Sequence, residues 1–301
     1  MKLLLIDGNA ILHRAYHAYP PLTNDKGQLV NAVYGFFAML IKVIEEVKPT
    51  HLVICFDKAA PTFRKALYAG YQAKRPKMAD DLSSQVSLLH EAIHGIHMQI
   101  FEVDGYEADD LIGTLSRQAK ENEMETIIVS GDRDLLQLVN GKVKVMMPIT
   151  GISKTVVMGE QEVEEKYGIA PKQFIDYKAL VGDASDGYPG VTGIGPKTAA
   201  TLIKKFGSFE DIYKHLADID VKLSEKLATD AEQAALAKKL ATIALDAPVT
   251  LDIDACKFSN IKREDADKVV GTFSFKSLKS RLGVFGEKKE ESIASPQLEL
   301  L

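Results

Sequence analysis

The spacing of apolar residues changes character several times along the chain. Residues 2–7, KLLLID, are a short apolar run that ends on an acid followed by glycine, the pattern of a buried strand. Residues 32–47, AVYGFFAMLIKVIEEV, return their apolar side chains at helical spacing and stop at Lys48-Pro49. The pattern then alternates: strand HLVICFD at 51–57, helix DDLSSQVSLLHEAIHGI at 80–96, strand MQIFEV at 98–103, helix ADDLIGTLSRQAKEN at 108–122, strand TIIVSGD at 126–132. A short strand is expected around KVKVM, residues 142–146. Strand and helix in alternation predict an α/β fold with a mainly parallel central sheet covered by helices on both faces. Beyond about Glu160 strand signals stop, and short helices follow, broken at residues 182–195, at Gly207 and near Pro248. The expected division is an α/β core over residues 1–158, a helical part over 159–285 and a polar tail over 286–301.

Composition narrows the class. The chain has 301 residues, 46% hydrophobic and 26% charged, which suits one large globular domain or two medium ones. A net charge of −5 argues against binding polyanions by bulk charge, so any nucleic-acid contact has to rest on local patches. Cys55 and Cys256 are the only cysteines and lie in no metal-ligand spacing, which points to a reducing compartment. The opening MKLLLIDGN has four apolar residues in succession before Asp7 and reads as a strand rather than a leader. No later run approaches membrane-spanning length. The expectation is a soluble, cytoplasmic monomer with no membrane partner.

The acids carry the first chemical signal. In an open α/β sheet, ligands sit at the carboxyl ends of the strands. Asp7 closes the first strand, Asp132 and Asp134 follow TIIVS on the loop GDRD, and Glu107, Asp109 and Asp110 open the helix after MQIFEV. A further segment, GDASDG, offers Asp183 and Asp186. Singly, each acid is equally well read as a turn former or as a partner of a helix N-terminus. Together they would repel one another unless cations offset their charge. Carboxylates without cysteine or histidine nearby select Mg²⁺ or Mn²⁺ over zinc, and so many imply two ions. Two such ions suit phosphodiester hydrolysis. No P-loop and no glycine-rich dinucleotide fingerprint is present. His13 and His17 share helical spacing but have no evident catalytic partner.

Two basic features change the picture again. Residues 58–78, KAAPTFRKALYAGYQAKRPKM, contain Lys58, Arg64, Lys65, Lys74, Arg75 and Lys77 and no acid. Tyr68 and Tyr71 interleave these cations, which suits stacking on bases or sugars, while a basic loop with inward tyrosines is the plain alternative. Residues 189–212, PGVTGIGPKTAATLIKKFGSFEDI, place a Gly193-Ile194-Gly195 turn before a helix that starts at Pro196. Such a turn can hold a backbone phosphate without reading bases, with Lys197, Lys204 and Lys205 adding charge. A simple helix–helix connection would share that pattern.

In combination, LLIDGNAILHRAYHA, FRKALYAGYQAKRP, VDGYEADDLIGTL, SGDRDLLQL and VGDASDGYPGVTGIGPKTA resemble the 5′ nuclease (flap endonuclease) family, over roughly residues 2–285. That family includes the N-terminal domain of bacterial DNA polymerase I. The resemblance implies a PIN-like core and a two-metal site on Asp7, Glu107, Asp109, Asp110, Asp132, Asp134, Asp183 and Asp186. The first four would hold the tighter ion and the last four the second ion or its waters. It implies an arch over residues 58–80 through which a 5′ strand passes, with Tyr71, Lys74 and Arg75 on the DNA and Arg64 or Lys65 stabilising charge on the scissile phosphate. It also implies a helix-three-turn-helix over 180–206 that grips duplex backbone through Gly193, Gly195, Lys197 and Lys204 and holds potassium. The expected activity is 5′–3′ exonuclease and flap endonuclease on DNA with a free 5′ end, flap or nick. The alternatives are a structure-specific DNA-binding protein with weakened or lost cleavage and a small α/β ribonuclease. Two departures stand out: Gly187-Tyr188 replaces the family's usual Asn-Ile, and no polymerase follows, so the chain reads as a stand-alone nuclease.

Overall fold

In β1 (Lys2–Asp7) Leu3 and Leu5 pack into one hydrophobic cluster while Leu4 and Ile6 pack into another, all of them buried. A strand with both faces covered has to lie in the middle of a layered α/β protein. The computed structural model describes residues 1–150 and 154–285; the tail expected at 286–301 lies outside them. After β1 come α1 (Gly8–Ala18), α2 (Asn31–Val47), β2 (His51–Cys55), α3 (Phe63–Leu67), α4 (Asp80–Gly95) and β3 (Gln99–Phe101). The core continues through α5 (Ala108–Glu121), β4 (Glu125–Val129), β5 (Val143–Thr150) and β6 (Lys154–Met158). The helical remainder comprises α6 (Glu160–Tyr167), α7 (Phe174–Val181), the two-residue strands β7 (Gly182–Asp183) and β8 (Tyr188–Pro189), then α8 (Pro196–Phe206). It ends with α9 (Phe209–Lys214), α10 (Val221–Thr229), α11 (Ala231–Ala241) and α12 (Arg263–Thr272).

The main sheet has the order β3-β2-β1-β4-β5-β6. All neighbours are parallel except β5 and β6. This is the mainly parallel sheet that the alternating pattern predicts. Moving outward from β1, the chain first builds toward β3 and then returns to place β4 on the other side. The carboxyl ends of β1 and β4 therefore flank a topological switch point, where a crevice opens.

One structural difference concerns α1. Its sequence, GNAILHRAYHA, opens on two poor helix formers and has no wide apolar stripe, so periodicity underreads it. Asp7 starts it by capping, its carboxylate accepting from the Ala10 N–H at 3.0 Å. A second difference lies after α11, where residues 243–257 carry no helix or strand. Three side chains one turn apart on α5 hold that stretch: Asp110, Thr114 and Gln118 accept from the N–H groups of Ala244, Ala247 and Leu251. Hydrogen bonding to side chains replaces the helix as the way its buried backbone is satisfied. Helices α5 to α10 pack into the hydrophobic cluster on one face of the sheet, whereas α1, α2, α4, α12 and residues 276–284 pack into the cluster on the other. Among the described residues no helix is long and apolar enough to cross a membrane.

Candidate active site

Three strand ends deliver acids to the switch point. Asp7 ends β1, Asp57 follows β2, and Asp132 follows β4. A chain of hydrogen bonds ties Asp7 to Asp132 and Asp134: Ser130 Oγ donates to Asp7 Oδ2 at 2.6 Å, the Asp132 N–H donates to Ser130 Oγ at 3.0 Å, and the Asp134 N–H donates to Asp132 Oδ1 at 2.8 Å. The charges of Asp132, Asp7, Asp57 and Asp134 all bear on Asp109, on the first turn of α5. Beside this group, ligand oxygens of Asp134, Asp183 and Asp186 all lie within 4.8 Å of one another. Asp57 is a member that the motif reading did not assign, although the rule that singled out Asp7, an acid ending a buried strand, applies to it equally.

The charge density shows in the protonation of these groups. Burial, with the neighbouring Asp57 and Asp132 charges adding to it, pushes Asp7 up from 3.8 to about 7. Burial and Asp132 raise Asp134 to about 7 as well, against the pull of Lys178. Asp109 is raised well above its ordinary value, first by burial and then by Asp132 and Asp7. Hard carboxylate oxygens that resist ionising together fit a divalent, oxygen-seeking cation. One protein cation already sits among them. The Lys178 ammonium lies 2.5 Å from Asp134 Oδ1 and also contacts Asp183 Oδ2. Burial opposes its charge, but these two acids keep it protonated. Burial pushes Asp183 up too, yet the Lys178 and Ser185 hydrogen bonds leave it below its usual value. The sequence signal for Lys178 was present but faint: a single cation in the otherwise mostly apolar helix FIDYKALV.

Asp7 and Asp134 hold protons in the folded state up to about pH 7, whereas their unfolded counterparts release them near 3.8. A raised folded pKa contributes stability that is complete below the unfolded value and is lost as pH rises through the folded one. The metal-free protein should therefore lose on the order of a few kcal/mol between about pH 4 and pH 7. Melting temperatures in chelator across that window, with and without excess Mg²⁺, check it; a flat or rising curve without metal contradicts it.

Three of the expected roles need correction, those of Arg64, Asp110 and Tyr71. Arg64 is 2% exposed, and each of its five N–H donors has a partner. Nε donates to the Leu240 carbonyl at 2.9 Å, and the terminal nitrogens reach Asp110 twice at 2.8 Å, Glu107 at 3.2 Å and the Thr242 carbonyl at 2.8 Å. No donor remains for a scissile phosphate. Asp110, expected on the tighter ion, is 0% exposed. Its two oxygens accept from Arg64 twice, from the Glu107 N–H at 3.0 Å and from the Ala244 N–H at 2.8 Å. Four bonds fill the four lone-pair sites of a carboxylate, which leaves none for a metal. Glu107 keeps some capacity, although Thr62, Arg64 and Tyr71 all donate to it.

The basic segment divides in the same way. Lys65, Lys74 and Arg75 are exposed, with Arg75 3.9 Å from Asp186. Tyr71 is buried instead. Its hydroxyl donates to Glu107 at 3.0 Å and lies 3.4 Å from Asp186, and its ring stacks on Tyr188 with a 6.3 Å centroid separation. A covered ring cannot stack on a base, so the expected aromatic platform is corrected to an internal contact. The Gly187-Tyr188 departure belongs to this contact. Gly187 has φ +75°, and a Cβ there would stand 3.0 Å from the Gly70 carbonyl. Gln72 completes the join by donating from its backbone and side chain to Asp186. The Gly193–Gly195 turn leads into α8 as its sequence predicts: Gly193 has φ +75°, Gly195 precedes Pro196, and both glycines are exposed with Lys197 and Lys204 nearby in the chain.

Comparison with known proteins agrees with this architecture. A family described as 5′-3′ exonuclease, N-terminal resolvase-like domain, matches residues 2–168, and 5′-3′ exonuclease, C-terminal SAM fold, matches residues 169–264. DNA polymerase I of Bacillus subtilis is 39% identical over 291 residues, covering 96% of this chain and 33% of that protein. DNA polymerase I of Bacillus caldotenax is 41% identical over 97% of this chain and 34% of its own length. The chain thus spans about a third of the curated relatives it matches. The bacteriophage T5 D15 flap endonuclease, solved with DNA and metal ions, shares the fold with a TM-score of 0.69 at 19% identity, covering 91% of this chain and 98% of that one. Human GEN1, solved with Holliday junction DNA, gives 0.62 at 13% identity over 93% of this chain and 71% of its own. Both halves of the domain are therefore accounted for, and the chain belongs to the 5′-3′ exonuclease family.

Proposed function

We propose that the protein hydrolyses DNA phosphodiesters as a divalent-metal-dependent 5′–3′ exonuclease and 5′-flap endonuclease, acting on a free 5′ end, a flap or a nick. The observation that carries this reading is the convergence of Asp7, Asp109, Asp132, Asp134, Asp183 and Asp186 at one switch point, with the last of these within 4.8 Å of Asp134 and Asp183. Two Mg²⁺ or Mn²⁺ ions, when bound, would supply Lewis acidity toward the phosphate and lower the pKa of the attacking water. Asp7, Glu107 and Asp109 would hold the first, and Asp132, Asp134, Asp183 and Asp186 the second. Lys65, Lys74 and Arg75 would draw the 5′ strand toward them. With Arg64 engaged internally, Lys65 takes over the role of offsetting charge on the scissile phosphate. The turn at Gly193 and Gly195, with Lys197 and Lys204, would grip the duplex backbone and hold a potassium ion. Residues 1–158 form the nuclease core and residues 159–285 the duplex-binding part in this reading. A monomer in the cytoplasm belongs to it, consistent with two buried free thiols.

The position of Lys178 favours one second reading. An ammonium between Asp134 and Asp183 competes with a cation there, which suits a DNA-binding protein with weakened cleavage. A labelled 5′-flap substrate separates the two. The nuclease shortens it with Mg²⁺ to products ending in 3′-hydroxyl and 5′-phosphate, and spares the equivalent RNA. An Asp132→Ala/Asp134→Ala variant should still bind the flap while cleaving it at least about 10²-fold more slowly. Binding without cleavage by the unaltered protein, at every Mg²⁺ or Mn²⁺ concentration, would establish the weaker function instead.

A further inference from the structure

Tyr188 is packed in a position where its hydroxyl has no hydrogen-bond partner. Its residue is 3% exposed, and its ring stacks on Tyr71 at an interplanar angle of 16° and packs with Ala237, Leu240 and Ala241 of α11. The β7–β8 ladder sets Tyr188 directly opposite Asp183, and opposed residues in an antiparallel pair project to the same side. Asp183 shares with Asp134 and Asp186 a cluster whose oxygens lie within 4.8 Å of one another, and the charges of all three bear on the phenol. Yet the hydroxyl is buried with no hydrogen-bond partner, although its side of the ladder is the one that carries Asp183. Its neighbour differs: the Tyr71 hydroxyl is pinned to Glu107 and faces Asp186. A buried hydroxyl without a partner is costly and uncommon, and it points to an occupant of the space in front of it.

We propose that the Tyr188 hydroxyl is a positioning group for the oxygen shell of a divalent cation held by Asp134, Asp183 and Asp186. This rests on reading those three acids as a cation site. A hydroxyl both donates and accepts, and a divalent ion such as Mg²⁺ retains several waters when only a few carboxylates bind it. Tyr188 can therefore accept from a water of that shell and donate to a carboxylate oxygen, joining the ion to the tyrosine pair and through it to the basic segment at Gln72. Asp183, already bonded to Lys178 and Ser185, is the acid least free to orient that shell alone.

The test is Tyr188→Phe, which keeps the ring and its stacking and removes the oxygen. Tyr213→Phe is the control, because the Tyr213 hydroxyl donates to the Leu227 carbonyl at 3.1 Å and no acid of the cluster bears on it. Mn²⁺ binding to each protein is measured by the electron paramagnetic resonance signal of the free ion, together with melting temperature in chelator. Tyr188→Phe should raise the melting temperature of the metal-free form and weaken the lower-affinity Mn²⁺ site by about 3- to 10-fold, the effect of one hydrogen bond. Tyr213→Phe should leave Mn²⁺ affinity unchanged. Unaltered Mn²⁺ affinity in Tyr188→Phe, in a protein that otherwise binds two ions and cuts flaps, overturns this inference alone. A wild-type protein that takes up no Mn²⁺ overturns the site reading with it.

Discussion

Asp109→Asn should lower flap cleavage by about 10³-fold, the scale of several kcal/mol of lost metal-borne charge stabilisation, and should at the same time make the metal-free protein melt higher. The two effects share one cause. The acid of Asp109 is held well above the ordinary range by burial and by the charges of Asp132, Asp7, Asp57 and Asp134. An amide of the same shape removes the repulsion and with it a hard anionic ligand. Residues placed for function in this way destabilise the fold that carries them. Calorimetry in chelator beside a single-turnover flap assay reads both quantities. A variant that cleaves normally, or that loses stability, would remove Asp109 from the cation site.

Arg64→Ala should act in the opposite sense, on folding before chemistry. The guanidinium bonds both oxygens of a fully buried Asp110 and two carbonyls at the end of α11. Deleting it leaves Asp110 as an uncompensated buried charge, at a cost of about 3–5 kcal/mol, which corresponds to a fall in melting temperature on the order of 10 °C. Asp110 also anchors residues 244–251 through the ladder on α5, so the same change should expose that stretch to proteolysis. The expected role on the scissile phosphate makes the contrary prediction: an unchanged melting temperature with slower cleavage. A thermal melt of the variant therefore separates the two.

Much of the centre was legible along the chain. Asp7, Asp132 and Asp57 end apolar strands, and Asp183 and Asp186 occupy a glycine-rich break. Strand periodicity together with parallel pairing brings strand ends to one edge, so local pattern suffices to place them. Short-range rules also located the Gly193–Gly195 turn and the start of α8, because a glycine turn followed by proline is decided within a few residues.

What the chain could not reveal is which polar groups are already satisfied. Arg64 reaches a carbonyl 176 residues away and Asp110 an amide 134 residues away, and only those distant partners turn a cation and an acid of typical catalytic appearance into a structural pair. Lys178 and Tyr188 are the converse. Lys178 lies in a helix whose sequence looks mostly apolar and Tyr188 in a glycine-rich turn, and the α7–β7–β8 fold turns one ammonium into the acid cluster and leaves one hydroxyl beside it without a partner. Sequence determined the kind of groups that meet at the switch point, since strand ends and loop glycines are local properties. Burial and the filling of donors and acceptors decided which of them stay available, since those depend on segments that only the tertiary structure brings together.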